Sequence, residues 1–255
     1  MTNGIEAIVV AGTSGENSTL EIHEHAQLVD FSIRKCAGKA KVLVGVGGNN
    51  TLACLKKAKS AAEAGADAVM MTAPYYNKCS KDGMIEHFMT IADEVDVPLI
   101  LYNVPSRTGL DIPVSVYQRL ARIPNIVGVK EASTDVSKIA KIRSVCGNDF
   151  AVWSGNDDFA VPAISIGASG LISVISNIAP VETNAMVQAS LDGDFDSAAD
   201  LQCRLTPLIE TLFCEVNPIP VKAAMRCIGY DCGQCRLPLT GLSGANQEKI
   251  NKLLS

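Results

Sequence analysis

Residues 125–132 read Asn-Ile-Val-Gly-Val-Lys-Glu-Ala. Ile126, Val127 and Val129 are apolar and β-branched, the composition of a strand buried on both faces. Lys130 closes the run. An unpaired ammonium is costly to bury, and the cost falls if the amine stays neutral. A neutral amine is a nucleophile. The plain alternative is a strand-end lysine whose stem packs while its head reaches water. The flanking segments decide between the two.

Outward from this run, strand-length apolar stretches alternate with amphipathic ones in both directions. Strands are expected at 5–10, 42–46, 68–72, 99–103, 126–130, 151–154 and 170–174. Helices are expected at 20–37, 52–64, 81–95, 114–121, 136–146, 157–166 and 180–190, with three more at 197–213, 220–228 and 247–254. Regular βα alternation implies a parallel sheet covered by helices. Gly12, Gly47 and Gly155 each follow a strand, on the side where α/β barrels place their chemistry. Seven strands fall one short of a closed (β/α)8 barrel. The alternative is an open doubly wound sheet, but no GxGxxG or Walker pattern supports a nucleotide site.

Composition narrows the function. A chain of 255 residues, 47% hydrophobic and 5% aromatic, suits one large domain rich in small and β-branched side chains. A net charge of −5 without a basic cluster argues against nucleic acid and anionic membrane as partners. No apolar run reaches the length of a membrane helix, and Met1 leads almost directly into a strand pattern, so a cytoplasmic location is expected. Nine cysteines read as free thiols in a reducing setting. Cys36, Cys54, Cys146 and Cys203 sit in apolar patterns as small hydrophobes. Cys227, Cys232 and Cys235, with Cys214, have a spacing also used for iron–sulfur clusters. The surrounding pattern is unlike a ferredoxin, and no metal is expected.

Four segments stand at strand ends. Gly12-Thr13-Ser14-Gly15-Glu16 offers hydroxyls and backbone amides before a helix, a fit cradle for a small carboxylate, or simply a capped turn. Pro74-Tyr75-Tyr76-Asn77 reads alone as aromatic packing. In Leu101-Tyr102-Asn103-Val104-Pro105-Ser106-Arg107-Thr108-Gly109, Tyr102 could carry protons if partners assist it. Arg107 offers a planar fork for a carboxylate. The fourth segment is the Lys130 strand.

Taken in order, "GTSGE", "PYYN", "YNVPSRTG" and "GVKEA" make the chain resemble the dihydrodipicolinate synthase and N-acetylneuraminate lyase family of pyruvate-dependent class I aldolases. The likeness runs from about Gly4 to the C-terminus. It implies a TIM (β/α)8-type barrel over residues 1–190, here with the first βα unit missing, and a C-terminal helical extension over 191–255. It also implies a homodimer or homotetramer and no cofactor. By the resemblance, Lys130 forms a Schiff base with pyruvate and Tyr102 relays protons. Thr13 links Tyr102 to Tyr76 of a neighbouring subunit. Thr13 and Ser14 hold the pyruvate carboxylate, and Gly155 and Ile172 line its pocket. Arg107 grips L-aspartate 4-semialdehyde and favours the synthase over the lyases, so the implied product is 4-hydroxy-tetrahydrodipicolinate. The rival readings are another pyruvate aldolase and a truncated, inactive scaffold. Tyr75, His25 and Asn49 match an L-lysine effector site, but Ile22 and Ala53 stand where sensitive members have histidine and glutamate. Ser14 replaces a common threonine, and Cys79 a common proline.

Overall fold

The computed structural model describes residues 4–254. Seven parallel strands follow one another in sequence order: β1 Ala7–Val10, β2 Lys41–Gly45, β3 Ala68–Thr72, β4 Leu99–Asn103, β5 Ile126–Glu131, β6 Ala151–Ser154 and β7 Gly170–Leu171. Helices cover the sheet: α1 Ile22–Cys36, α2 Thr51–Glu63, α3 Lys81–Ala92, α4 Pro105–Thr108, α5 Val114–Leu120, α6 Ser137–Cys146, α7 Ala160–Ser165 and α8 Pro180–Leu191. Three more complete the chain: α9 Phe195–Leu212, α10 Ile219–Cys227 and α11 Gly244–Leu254. No described helix is long and apolar enough to cross a membrane.

Strand alternation builds two cores. Val42, Val44, Val69, Met71, Leu99, Leu101, Val129 and Val152 point outward beneath the helices. Between them, Leu43, Ala68, Met70, Ile100, Tyr102, Ala132 and Trp153 pack inside the curled wall. Side chains of period two, apolar on both faces, are what a parallel sheet under helices requires. A third cluster joins α8 to the C-terminal helices through Met186, Ala198, Leu205, Leu212, Ala224 and Ile250.

One irregularity positions the chemistry. The β4–β5 register slips between Leu99 and Ile100: Leu99 pairs with Ile126, but Ile100 pairs with Gly128. Tyr102 consequently pairs with Lys130, and Asn103 with Glu131. Without that extra residue Lys130 would stand opposite Asn103 and turn to the helical face, because side chains alternate.

Several expected boundaries move. The strand expected over 170–174 ends at Leu171, because Asp157 accepts from the Ser173 hydroxyl at 2.6 Å and from the Val174 amide at 3.0 Å. Those bonds pull the backbone into a 3-10 turn at Ile175–Asn177. The helix expected over 157–166 opens as a 3-10 turn, Asp157–Phe159. The first helix begins at Ile22 rather than 20, where Glu21 and Glu24 form a reciprocal capping box. α4 lies in a stretch where the sequence pattern predicts no helix; Pro105 at its first position favours the helical φ. Cys203 lies on the exposed side of α9, whereas Cys36 and Cys54 are buried as expected.

Among the described residues β1 is paired only with β2, and β7 only with β6. Each therefore presents one edge of backbone groups outside the ladder. In hydrogen exchange, amides of Ala7–Val10 and Gly170–Leu171 should exchange at least about tenfold faster than those of β4 and β5. Equal protection in all four strands would mean that the edges are covered.

Candidate active site

The loops after the strands meet at one end of the sheet around a cavity of about 460 Å³. Thr13, Asn49, Tyr75, Tyr102, Arg107 and Asn217 are among its lining residues. The loop after β1 can lie this close because Gly45 has no side chain. A Cβ there would stand 2.0 Å from the Ala11 carbonyl oxygen.

Lys130 is 9% exposed, and its Nζ sits over the Tyr102 ring, 4.7 Å from the centroid. An ammonium is attracted to a ring face at this range. Gly155 packs against the lysine stem: a Cβ there would meet Lys130 Cε at 3.0 Å and Ala132 Cβ at 2.6 Å. Ile172 packs in the same interior cluster as Tyr102. Behind Lys130, burial pushes the Asp157 carboxyl up, against the opposing pull of Ser173, the Val174 amide and the Lys130 charge.

The first loop is tied down from the far end of the sequence. Ser14 Oγ accepts from Asn217 Nδ2 at 2.8 Å, while Arg107 Nη2 donates to the Asn217 carbonyl at 3.1 Å. Asn217 thus joins two of the expected substrate residues. Its Oδ1 is buried without a partner in the protein, an acceptor held at the cavity wall. Glu16 accepts from Lys222 Nζ and from the Arg236 amide, both at 2.8 Å. Burial opposes its ionisation, but these bonds outweigh it and hold the carboxyl below its ordinary value. Arg236 also forks onto Glu24 at 2.6 and 2.7 Å. That bond is the main reason the Glu24 carboxyl falls to about 2.

The structure therefore brings Thr13, Tyr102 and Arg107 to one cavity, with Lys130 over the Tyr102 ring, Ile172 in the same interior cluster and Gly155 against the lysine stem. Ser14 joins them through Asn217. Tyr76 stands apart: it is 88% exposed, with φ +69°, a backbone conformation a bulky residue rarely adopts. The amides of Gly15 and Glu16 are spent on turn bonds to Gly12 and Thr13, so they are not offered to a ligand as the glycine pattern suggested. Of the expected effector residues, Tyr75 and Asn49 line the cavity. His25 lies on the buried face of α1, where its Nε2 donates to the Gly45 carbonyl at 2.9 Å. Burial lowers its pKa and favours that neutral form.

Sequence reasoning missed the ties made by Asn217 and Glu16, and those of Glu131, which accepts from the Asn103 amide group, the Tyr117 hydroxyl and the Ser133 amide. Asn217 and Ser14 are 203 positions apart, and no local pattern links them. Glu131 did carry a signal, since a second charged residue at the end of a buried run demands a partner.

The sequence pattern described as "Dihydrodipicolinate synthetase family" matches residues 1–255. The chain belongs to that family. A 4-hydroxy-tetrahydrodipicolinate synthase of Methanosarcina acetivorans is 48% identical over 248 residues, covering 97% of this chain and 84% of that one. The crystal structure of the Aquifex aeolicus dihydrodipicolinate synthase superposes with a TM-score of 0.98 at 41% identity, covering 99% of this chain and 87% of that one. The chloride-inhibited enzyme of Acinetobacter baumannii, complexed with pyruvate, gives 0.96 at 40% identity, with the same two coverages. The expected barrel-type family is thereby shown, together with the C-terminal helices.

Proposed function

We infer that this chain is a 4-hydroxy-tetrahydrodipicolinate synthase, condensing pyruvate with L-aspartate 4-semialdehyde on the route to diaminopimelate and lysine. The observation that carries the reading is the buried Lys130 amine held over the ring of Tyr102, which with Arg107 lines the cavity. The Lys130 amine adds to the pyruvate ketone, water leaves, and an iminium forms. The iminium draws electrons from the methyl group, a proton departs, and an enamine results. Its carbon attacks the aldehyde, whose oxygen takes a proton and becomes a hydroxyl. The substrate's amino group then adds to the iminium carbon, closing the ring and expelling the lysine amine. Tyr102 moves the protons, being a tyrosine whose ring lies against the amine. Thr13 and Ser14 bind the pyruvate carboxylate, with Gly155 and Ile172 shaping its pocket, and Arg107 receives the carboxylate of the aldehyde.

Borohydride added with pyruvate should leave one reduced pyruvyl group, and mass mapping should find it on Lys130. A modified peptide elsewhere, or none, overturns the assignment. Lys130→Ala should lose at least about a thousandfold in rate, since the covalent route is gone.

Tyr76 acts in the site of a second copy, in a homodimer or homotetramer. Its exposure and left-handed backbone favour a ring presented outward. Tyr76→Phe and Tyr102→Phe should each be nearly inactive, and mixed dimers of the two should regain part of the activity. No recovery would place Tyr76 in its own subunit's site.

The seven strands correspond to the second through eighth of a closed barrel, with the first strand's place lying between β1 and β7. Their unpaired outer edges and the sequential order support this. Feedback by L-lysine is weak. Tyr75, Asn49 and His25 are present, but Ala53 lines the cavity without a carboxylate, and Ile22 points an apolar side chain outward at 61% exposure. A lost charge-assisted contact costs about 1.5–3 kcal/mol, or roughly ten- to a hundredfold in affinity. Half-inhibition by micromolar lysine would refute this.

A further inference from the structure

The proposed reaction uses Arg107 and Lys130, but neither side chain explains a second cluster that lies on the opposite face of the same two strands. Asn103 and Glu131 directly follow Tyr102 and Lys130, and they form the next registered pair. Their side chains turn outward beneath α5 and α6, and both are almost wholly buried. Asn103 Nδ2 donates to Glu131 Oε1 and Oε2 at 2.8 and 3.0 Å. Glu131 also accepts from the Tyr117 hydroxyl at 3.1 Å and the Ser133 amide at 2.8 Å. Burial, then the Glu131 charge, push the Tyr117 phenol well up, so it remains a donor.

The same asparagine closes the loop that carries Arg107. Its Nδ2 donates to Asp111 Oδ1 at 2.8 Å, and its Oδ1 accepts from the Ile112 amide at 3.0 Å. The Thr108 hydroxyl donates to the Leu110 carbonyl at 2.8 Å within the loop. Lys138 of α6 then fastens the far end. Its Nζ donates to Asp111 Oδ1 and lies 3.8 Å from Glu131 Oε2 and 5.7 Å from the Tyr117 ring centroid. The Lys138 and Glu131 side chains are 6% and 2% exposed. Apolar side chains of similar volume commonly pack as well as such a buried pair, so its presence points to a geometric role.

We propose that Asp111 and Lys138 are positioning residues for Arg107, holding its loop to the Lys130 strand and thereby setting the affinity for the second, carboxylate-bearing aldehyde substrate. This rests on the reading of Arg107 as the group that receives that carboxylate. Loosening the Asp111 end lets Arg107 drift from the place fixed by the Asn217 carbonyl. The Tyr102–Lys130 pair is held by the strand register on the other face and stays in place.

The test separates the two substrates. Asp111→Ala and Lys138→Met are assayed for aldehyde KM, for kcat, and for the rate of pyruvate-dependent borohydride trapping. The Asp111 side chain is 57% exposed, so its removal leaves a folded chain even where Lys138→Met does not. The aldehyde KM should rise about tenfold or more, with kcat and trapping within about threefold of the parent, the pattern of lost ground-state binding. Lys138→Arg should recover most of the affinity. An unchanged KM with only a lowered melting temperature overturns the proposal, as does a trapping rate that falls in parallel with aldehyde turnover. Absence of trapping in the parent chain overturns the functional reading itself, and the positioning role with it.

Discussion

The one-residue slip between β4 and β5 is the constraint on which the rest of the site depends. It sets Lys130 in the same row as Tyr102. Moved by one position, the lysine would face helices, and its amine would need a partner there. The slip also separates two kinds of side chain at the sheet's carboxyl end. Tyr102 and Lys130 face the barrel interior, while Asn103 and Glu131 face the helical layer and bond to each other. The Tyr102–Lys130 pair is thus backed by a polar pair one residue further along each strand. A phenol and an amine held this way lose little freedom when a substrate arrives.

Small residues complete the arrangement. Gly155 leaves room for the lysine stem, and Gly45 lets the Gly12–Thr13 loop lie against the sheet. Neither glycine has the left-handed φ that usually explains a glycine, and both are explained by close approach. The interior is otherwise filled by Met70, Ile100 and Trp153, so the cavity occupies only the rim, as in barrels whose loops carry the chemistry.

Much of this was legible in the sequence. Period-two apolar runs and helical stretches in regular alternation gave all seven strands within a few residues, because a parallel sheet leaves a strong compositional mark. Lys130, Tyr102 and Arg107 were legible as a group because each ends or follows a buried strand. The register slip was not: Ile126-Val127-Gly128-Val129 reads equally well in either phase, since both faces are apolar. The short β7 was hidden because Ser173 and Val174 answer to Asp157, a buried carboxylate 16 and 17 positions earlier. Asn217 was hidden by distance along the chain, since its partners Ser14 and Arg107 leave no local imprint on the residues around it.

The tie between Glu16 and Arg236 spans 220 positions, and its consequence concerns how the molecule comes into being. Chain synthesis proceeds from the amino end, and contacts between distant residues form only after both have emerged. The neighbouring strand pairs β1 to β7 can associate as they appear, each closing a short loop. The cavity wall cannot. Thr13 and Ser14 lie in a loop whose carboxylate finds Lys222 and Arg236 only when nearly the whole chain has left the ribosome. A chain released early would carry the buried lysine and its tyrosine yet lack the outer wall of the cavity that the tyrosine lines. Premature termination between Leu171, the end of β7, and Lys222 therefore yields a sheet that carries the Tyr102–Lys130 row with no finished vessel around it.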